Sequence, residues 1–140
     1  MNIIVYEALP PEAAQIRETV FIKEQGFQNE FDEIDNHAKH LVLYHNEAPI
    51  ATCRFFTKGT SESYVIGRIA VLKEYRGQNI GSYLLEAAEC EIKKLGGKYI
   101  FLHSQNRVKS FYEKLGYHKY GEIDFDESCP HIWMRKKLSQ

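Results

Sequence analysis

A short polar stretch, EYRGQNIGS at residues 74–82, places one arginine and two glycines between an apolar run and an amphipathic run. The preceding run, VIGRIAVL, has the β-branched composition of a strand, and the following run, SYLLEAAECEIKKLGG, has the spacing of a helix that ends at paired glycines. A strand that turns directly into a helix leaves the first helical N–H groups without internal acceptors, and such groups bind anions. The stretch therefore predicts an anion-binding turn, with the amides of residues 78–82 as donors and Arg76 beside them.

The spacing of these residues narrows the choice of anion. A mononucleotide P-loop needs a Lys-Ser or Lys-Thr pair after its last glycine, but Ser82 and Tyr83 follow Gly81. A dinucleotide-binding turn needs three glycines in the order G-x-G-x-x-G, which Gly77 and Gly81 do not supply. A diphosphate held by several backbone amides remains. Each hydrogen bond to a charged group is worth about 1.5–3 kcal/mol, so the amides outweigh a helix dipole worth about 0.3–1 kcal/mol.

The composition sets limits on the rest of the molecule. The chain has 140 residues, 44% of them hydrophobic, and a formal charge of −1, which favours one domain over residues 1–140 and gives no general attraction for nucleic acid or an anionic membrane. It contains no apolar run of membrane-spanning length and no basic signal-peptide start. Cys53, Cys90 and Cys129 are odd in number and widely spaced, so we expect reduced thiols in a cytoplasmic protein.

Helical and strand patterns alternate irregularly along the chain. Helices are predicted at 11–26, 82–95 and 106–116, and the second of these places Leu84, Ala88 and Ile92 on one face. Strands are predicted at 2–9, in two runs within 40–57 around a turn at Asn46–Pro49, and at 65–72, 98–104, 117–127 and 131–138. This order favours an α/β (α+β) fold with a mixed, mostly antiparallel central sheet and helices on both faces.

Two segments carry a family resemblance. The run RIAVLKEYRGQNIGSYLL resembles the acetyl-CoA-binding segment of the GCN5-related N-acetyltransferases (GNAT), in which a strand precedes Q/R-x-x-G-x-G/A and a helix. Arg76 and Gly81 match the first and last positions of that motif, and Asn79 stands where the family has glycine. Asparagine tolerates a left-handed backbone better than most residues, so we expect the turn to persist.

The second segment, NRVKSFYEKLGY, resembles the later family motif through Asn106, Tyr112, Gly116 and Tyr117. The runs VFIKEQGFQNEFDEIDNHAKHLV and DESCPHIWM further resemble a small, single-domain bacterial branch of the family. The resemblance therefore extends over nearly the whole chain. It implies an acyl-CoA N-acyltransferase fold and direct transfer of an acetyl group from acetyl-CoA, as co-substrate, to a primary amine, without an acyl-enzyme.

The resemblance also assigns roles to residues. Backbone groups of the strand before the turn would bind the thioester and the pantetheine arm, and Tyr112 would protonate the leaving thiolate, because a phenol is protonated at neutral pH. The implied acetyl-CoA-binding positions are Ile69, Ala70, Val71, Arg76, Gly77, Gln78, Asn79, Ile80, Gly81, Ser82 and Asn106.

The base that deprotonates the amine is less clearly marked. Some family members place a glutamate on the strand before the turn, where this chain has Gly67 and Arg68. Glu24 and His131 are the leading candidates, and His103 at the end of its strand is a further one, since histidine titrates near neutrality. A water held by other groups is the remaining possibility.

The other polar clusters are weaker signals. The acidic loop with Glu30, Asp32, Glu33 and Asp35 is either simply solvated or lines the acceptor side and attracts a cationic amine. The histidines at 37, 40 and 45 lack the spacing of a metal site, and no metal is expected. The expected partner is a small-molecule or peptide amine, and family habit suggests a homodimer. The alternative function is a non-catalytic acyl-CoA-binding sensor or interaction module.

Overall fold

A computed structural model describes residues 1–138. Its helices are α1 (Pro11–Arg17), which continues directly into π-helical turns (Glu18–Glu24), then α2 (Ile80–Lys94) and α3 (Lys109–Glu113). Short 3₁₀ turns occupy Glu33–Asn36, Lys73–Tyr75 and Asn106–Val108. The strands are β1 (Asn2–Tyr6), β2 (Lys39–His45), β3 (Ala48–Lys58), β4 (Thr60–Val71), β5 (Tyr99–Gln105), β6 (His118–Asp126) and β7 (Cys129–Lys137).

The seven strands form one sheet in the order β1-β2-β3-β4-β5-β7-β6. Of the strand pairs in residues 1–138, β4 and β5 are parallel and the others are antiparallel. A parallel pair needs a long crossover connection, and α2 supplies it. The predicted mixed, mostly antiparallel sheet is therefore confirmed.

Helices cover both faces of this sheet because successive strand residues point to opposite sides. On one face, α2 buries the predicted stripe of Leu84, Ala88 and Ile92 completely against β2, β3 and β4. On the other face, Ile16 and Val20 pack against Ala70 of β4. Burial of each large aliphatic side chain is worth about 1.5–3 kcal/mol, so these two contacts fix the layers.

Strand β4 contains a bulge that changes which side chains face each layer. Arg54 pairs with Gly67 and Thr52 with Ala70, so Arg68 and Ile69 together oppose the single residue Cys53. Arg68 has a φ of 50°, a left-handed conformation that is uncommon for a long side chain. Because of the extra residue, Ile69 packs on the same side as Ile66, three positions earlier.

Strand β4 separates from β5 shortly before this bulge. The parallel pairing covers three positions of β4, Ser63 to Val65. From Ile66 to Val71 the edge of β4 that faces β5 is unpaired among the described residues, and a wedge-shaped cleft opens between the strands.

Two local predictions differ from the structure. The helix predicted over 11–26 changes to π-helical turns after Arg17, where the N–H of Gln25 bonds to the carbonyl of Val20, five residues earlier. The predicted turn at Asn46–Pro49 is shorter: Asn46 and Glu47 both have positive φ, a tight two-residue hairpin, and β3 begins at Ala48. Residue spacing alone does not separate α from π turns over so few residues.

A buried ionic network holds the loop before β2 against β3 and β4. Arg17 donates to a carboxylate oxygen of Glu30 at 2.8 Å and to both oxygens of Asp35 at 2.7 and 3.1 Å. Arg54 donates to Asp35 at 2.8 Å and to Asp32 at 2.6 and 3.1 Å. Arg17, Glu30, Asp35 and Arg54 are each at most 5% exposed.

The network also holds the bulge in place. Arg68 donates from Nε to the backbone carbonyl of Glu30 at 3.1 Å, and the same nitrogen lies 3.0 Å from a carboxylate oxygen of Glu30. A strained backbone persists only where the surrounding structure over-determines it. The paired loop therefore helps to keep β4 bent at Arg68 and the cleft open.

We predict that Asp35→Asn lowers the free energy of unfolding at pH 7 by about 3–5 kcal/mol, because it leaves two buried guanidinium groups short of a charge. Burial raises the pKa of Asp35, but hydrogen bonds and charges from Arg17 and Arg54 outweigh it and lower the pKa to about 2. A carboxyl pKa depressed on folding stabilises the protein above the unfolded value of 3.8, and this contribution is lost as pH falls from there to about 2.

Denaturant unfolding of wild type, Asp35→Asn and the exposed control Glu33→Gln at pH 7 and pH 3 checks this prediction. The Asp35→Asn defect should shrink at pH 3, and Glu33→Gln should match wild type at both. An Asp35→Asn variant as stable as wild type at pH 7 would contradict it.

Candidate active site

The cleft between β4 and β5 gathers three of the polar side chains that the sequence singled out, and Arg76, the residues of its turn and Asn106 are not among the residues that line it. Its walls come from β4, β5, the 3₁₀ turn after β5, α3, the end of the π-helical turns and the β6–β7 end of the sheet. Tyr112, His131 and His103 line it, together with Ile69. Glu24 is not among the residues that line it.

The predicted anion-binding turn has the expected backbone. Asn79 is left-handed, with φ 61° and ψ 20°, and Gly77 has φ 79°. The left-handed conformation expected for Asn79 is therefore confirmed. Within the described residues, the first backbone N–H of the turn with an internal acceptor is that of Tyr83, which bonds to the carbonyl of Asn79 at 3.1 Å. The amides from Gly77 to Ser82 are thus available to a ligand at the start of a 15-residue helix.

Arg76 is engaged with protein groups in this structure. Its two terminal nitrogens donate to the two carboxylate oxygens of Glu24 at 2.5 and 2.8 Å, and its Nε donates to the carbonyl of Val71 at 2.9 Å. The hydrogen bond from Arg76 lowers the pKa of Glu24, which makes this carboxylate a weaker base. A diphosphate would have to compete with Glu24 for the guanidinium.

Tyr112 is fixed from two sides. Its ring lies edge-on to Phe111 and Tyr117, with centroids at 5.0 and 6.1 Å. Tyr117 is fully buried and donates from its hydroxyl to Glu89 at 2.8 Å, which ties the end of α3 to α2. Burial raises the pKa of Tyr112, so its hydroxyl stays protonated throughout the physiological range.

Asn106 begins the 3₁₀ turn that connects β5 with α3. Its side-chain oxygen Oδ1 is sealed from solvent and has no hydrogen-bond partner among residues 1–138. An unsatisfied buried acceptor costs about 1–3 kcal/mol, so a local shift that gave this oxygen a donor would be favourable.

The histidines form the far end of the cleft, beside β6 and β7. His103 Nε2 lies 2.7 Å from Asp124 Oδ1, and its ring stacks on Trp133 at a centroid distance of 4.7 Å. His131 stands two residues before Trp133 on β7, and its ring centroid lies 4.7 Å from that of His103. The Nδ1 atom of His131 lies 2.9 Å from the carbonyl oxygen of Cys129. The hydrogen bond with His103 lowers the pKa of Asp124.

A polar bridge that sequence reasoning missed crosses the cleft mouth. Gln105 donates from Nε2 to Gln25 Oε1 at 2.8 Å, and Arg107 donates from Nε to Gln105 Oε1 at 2.9 Å. The π-helical turns present Gln25 to β5, and π segments recur at functional sites. The pair is 80 residues apart in sequence, so only the three-dimensional fold reveals it.

The acidic loop does not have either of its expected roles. Glu30 and Asp35 are buried and neutralised by the arginines of the network, and Asp32 pairs with Arg54. The loop is therefore neither simply solvated nor a free negative surface for a cationic amine, because the charges of Glu30, Asp32 and Asp35 are paired with arginines and only Glu33 of the four acidic residues is exposed without a partner among the described residues. The arginines that pair with the loop are at positions 17, 54 and 68, outside the loop itself, so the local composition does not reveal this pairing.

Residues 1–138 hold no group of three His, Cys, Asp or Glu side chains placed to bind a metal ion. Over the same range, no helix has both the length and the apolar character needed to cross a membrane.

Comparison with known proteins identifies the class. Residues 6–138 match the acetyltransferase (GNAT) domain family. The chain therefore belongs to the GNAT acetyltransferases, and it is an acyltransferase enzyme, as its two motifs predicted.

Individual relatives agree with this assignment. The uncharacterized N-acetyltransferase YjcF of Bacillus subtilis is 34% identical over 129 residues, which cover 89% of this chain and 90% of that protein. A proposed N-acetyltransferase from Lactobacillus plantarum has a crystal structure with a TM-score of 0.90 and 29% identity, covering 99% of this chain and 98% of that one. An aminoglycoside 6′-N-acetyltransferase crystallised with coenzyme A shares the fold, with a TM-score of 0.79 and 17% identity over 100% of this chain and 99% of its own.

The left-handed residue of the turn yields a test. We predict that Asn79→Val lowers the free energy of unfolding by about 1–2 kcal/mol, because a β-branched side chain is strained at positive φ. Asn79→Gly should equal or exceed wild type, since glycine adopts this conformation freely.

Chemical denaturation of the two variants gives the comparison. Asn36→Val, at an exposed position without positive φ, is the control for replacing asparagine by valine. Equal stabilities for Asn79→Val and Asn79→Gly would show that this backbone is not constrained.

Proposed function

We propose that the chain transfers an acetyl group from acetyl-CoA directly to a primary amine within the cleft between β4 and β5. The observation that carries this proposal is that three polar features of this part of the molecule have no hydrogen-bond partner among the described residues. These are the amides of 77–82, the unpaired edge of β4 from Ile66 to Val71, and the buried oxygen of Asn106.

The chemistry of acetyl-CoA fits these features. The free amides at the start of α2 suit its diphosphate. Gly81 lies beside Phe111, which an added Cβ would meet at 3.4 Å, an ordinary van der Waals contact. Amide groups of the pantetheine arm can pair with an unpaired strand edge as an added strand would. Asn106 Oδ1 is sealed from solvent, so it can accept from an arm N–H only after a local shift exposes it. When bound, acetyl-CoA supplies the activated acetyl group.

Protein groups then polarise the thioester carbonyl and protonate the leaving thiolate. Backbone N–H groups of Ile69, Ala70 or Val71 polarise the thioester carbonyl, as an oxyanion site does. Tyr112 holds a proton that it can give to the leaving thiolate. Arg76 joins the diphosphate contacts only by leaving Glu24, and the bidentate ion pair makes Glu24 the weakest of the three base candidates.

The acceptor enters from the histidine end of the cleft. His103 and His131 are the base candidates within the cleft, and Phe27, Asp126 and the Gln25–Gln105 bridge border the same opening. The acceptor is a small-molecule or peptide amine. The single domain, the cytoplasmic location and the homodimer expected from the sequence stay predictions.

The test of this proposal is release of free CoA thiol from acetyl-CoA in the presence of putrescine, spermidine, glucosamine, lysine or tyramine. CoA release above the non-enzymatic rate, with a matching acetylated amine detected by mass spectrometry, is the expected result. Tight acetyl-CoA binding without acetyl transfer to any amine would instead favour the acyl-CoA sensor.

We predict that Tyr112→Phe lowers kcat by about 10²–10⁴-fold, the usual value of a positioned acid. Acetyl-CoA affinity, measured by calorimetry, should change little because the ring and its packing are retained. Tyr120→Phe removes a hydroxyl from a half-exposed tyrosine on β6 and serves as the control. Wild-type kcat in Tyr112→Phe at saturating substrates would exclude Tyr112 as the proton donor.

A further inference from the structure

The contact between β5 and β6 at the histidine end joins an imidazole to a carboxylate. His103 Nε2 and Asp124 Oδ1 are 2.7 Å apart, across β7 from each other in the sheet order. We propose that His103 is the base that deprotonates the acceptor amine, and that Asp124 is the residue that positions it. This inference rests on the acetyl-transfer function proposed above and names the proton acceptor for it.

The hydrogen bond determines the tautomer of His103. An ionised carboxylate only accepts hydrogen bonds, so Nε2 of His103 must carry the hydrogen. In the neutral ring the lone pair is then on Nδ1. Among residues 1–138 this nitrogen has no hydrogen-bond partner. It is also not buried, unlike the unpartnered side-chain atoms of His40, Arg54 and Asn106. It is therefore accessible from the cleft that His103 lines.

The same reasoning separates His103 from His131. His131 donates from Nδ1 to the carbonyl of Cys129, which leaves its Nε2 as a possible base. A base finishes the step as a cation, and a carboxylate stabilises that cation more than a neutral carbonyl does. Asp124 contacts His103 directly, so the geometry favours His103 as the base. His131 then only packs against the His103 ring.

Packing holds the His103 ring in one orientation. Trp133 stacks on it with an interplanar angle of 24°, and His131 lies against it at 32°. His103 is two residues past Phe101, the last residue of β5 that pairs with β4, so it stands where the cleft begins. Locked rotamers and fixed partners are what a proton acceptor needs for a defined geometry.

The proton balance of the step is simple. An ammonium acceptor gives one proton to Nδ1 of His103, and the freed nitrogen lone pair attacks the thioester carbon. The C–N bond forms, the C–S bond breaks, and the thiolate takes a proton from Tyr112. The nitrogen loses a second proton as the amide forms, and this proton returns through solvent to the phenolate of Tyr112. His103 releases its own proton to solvent.

Other charged groups contribute to the field at His103. Asp124 and Asp126 come from β6, His131 from β7, Arg68 from β4, Glu30 from the paired loop and Arg107 from the turn after β5. Lys58 of β3 places its ammonium 5.0 Å from the centre of the Trp133 ring that stacks on His103. Asp124 is the group that hydrogen-bonds to the imidazole, so its removal should dominate any change in pH dependence.

The experiment compares two kinds of amine, because a base is needed only when the amine is protonated. Hydroxylamine is largely unprotonated at neutral pH, whereas putrescine and tyramine are protonated. CoA release is measured with wild type, His103→Gln, Asp124→Asn and Glu122→Gln, an exposed acid-to-amide control on the same strand. Hydroxylamine rates are corrected for its direct reaction with acetyl-CoA.

We predict that His103→Gln lowers kcat/KM for the protonated amine that wild type uses best by about 10²–10⁴-fold. Asp124→Asn should lower it by about 10–100-fold, the usual value of a group that orients a functional histidine. The rising limb of kcat/KM against pH should also move to lower pH in Asp124→Asn, since a charge that stabilises the imidazolium is lost. Activity with hydroxylamine should fall far less in both variants.

Two results would overturn this inference while leaving acetyl transfer in place. One is that the wild type is active and Asp124→Asn has the same dependence of kcat/KM on pH as the wild type. The other is an equal loss with hydroxylamine and the protonated amine. A wild type that releases no CoA with any amine would overturn the proposed function itself.

A readout that needs no acceptor is imidazole ¹⁵N NMR of the wild type. It should show hydrogen on Nε2 of His103 and on Nδ1 of His131, and a tautomer mixture at His103 in Asp124→Asn. Hydrogen on Nδ1 of His103 in wild type would overturn the assignment.

Discussion

The separation of β4 from β5 is the constraint on which the rest of this structure depends. The pairing with β5 ends after Val65, and a single extra residue in β4 opposite Cys53 then leaves Arg68 left-handed. A left-handed arginine is costly by itself, and the buried network through Glu30, Arg17 and Asp35 holds it there. Buried ion pairs are weak stabilisers on average. Here the network lies where it holds the loop and the strand together, so we attribute to it a role in shaping the cleft.

The cleft gathers the proposed chemical groups beside β4. The unpaired edge of β4 leads along the chain to the free amides of the turn before α2, and Tyr112, His103 and His131 line the cleft. Each group is fixed by a neighbour that takes no part in the reaction, as Tyr117 fixes α3 and Trp133 fixes His103. Membership of the GNAT acetyltransferases follows from the family match over residues 6–138. The roles of individual residues rest on this geometry.

Local patterns in the sequence predicted much of this arrangement, and long-range pairing was beyond them. The α2 stripe depends on residues within a few turns, so spacing was sufficient, and the left-handed Asn79 was expected because it stands at a glycine of the family motif. The partners of Asp35 and the pair His103–Asp124 depend on strand order and register, which no local pattern encodes. The π-helical turns that present Gln25 differ from an α-helix by one residue per turn, a difference that the apolar spacing over 11–26 does not reveal.

The most direct measurement of the central claim is amide hydrogen exchange followed by NMR with and without acetyl-CoA, using ATP as a second ligand. The account predicts that acetyl-CoA slows exchange at amides of Ile66–Val71 that face the cleft and at Gly77–Ser82, whose N–H groups have no acceptor within residues 1–138. ATP should leave the β4 amides unchanged, because it has no pantetheine arm to pair with a strand edge. Binding of acetyl-CoA without protection of β4 would contradict the claim that the opened sheet is the donor site.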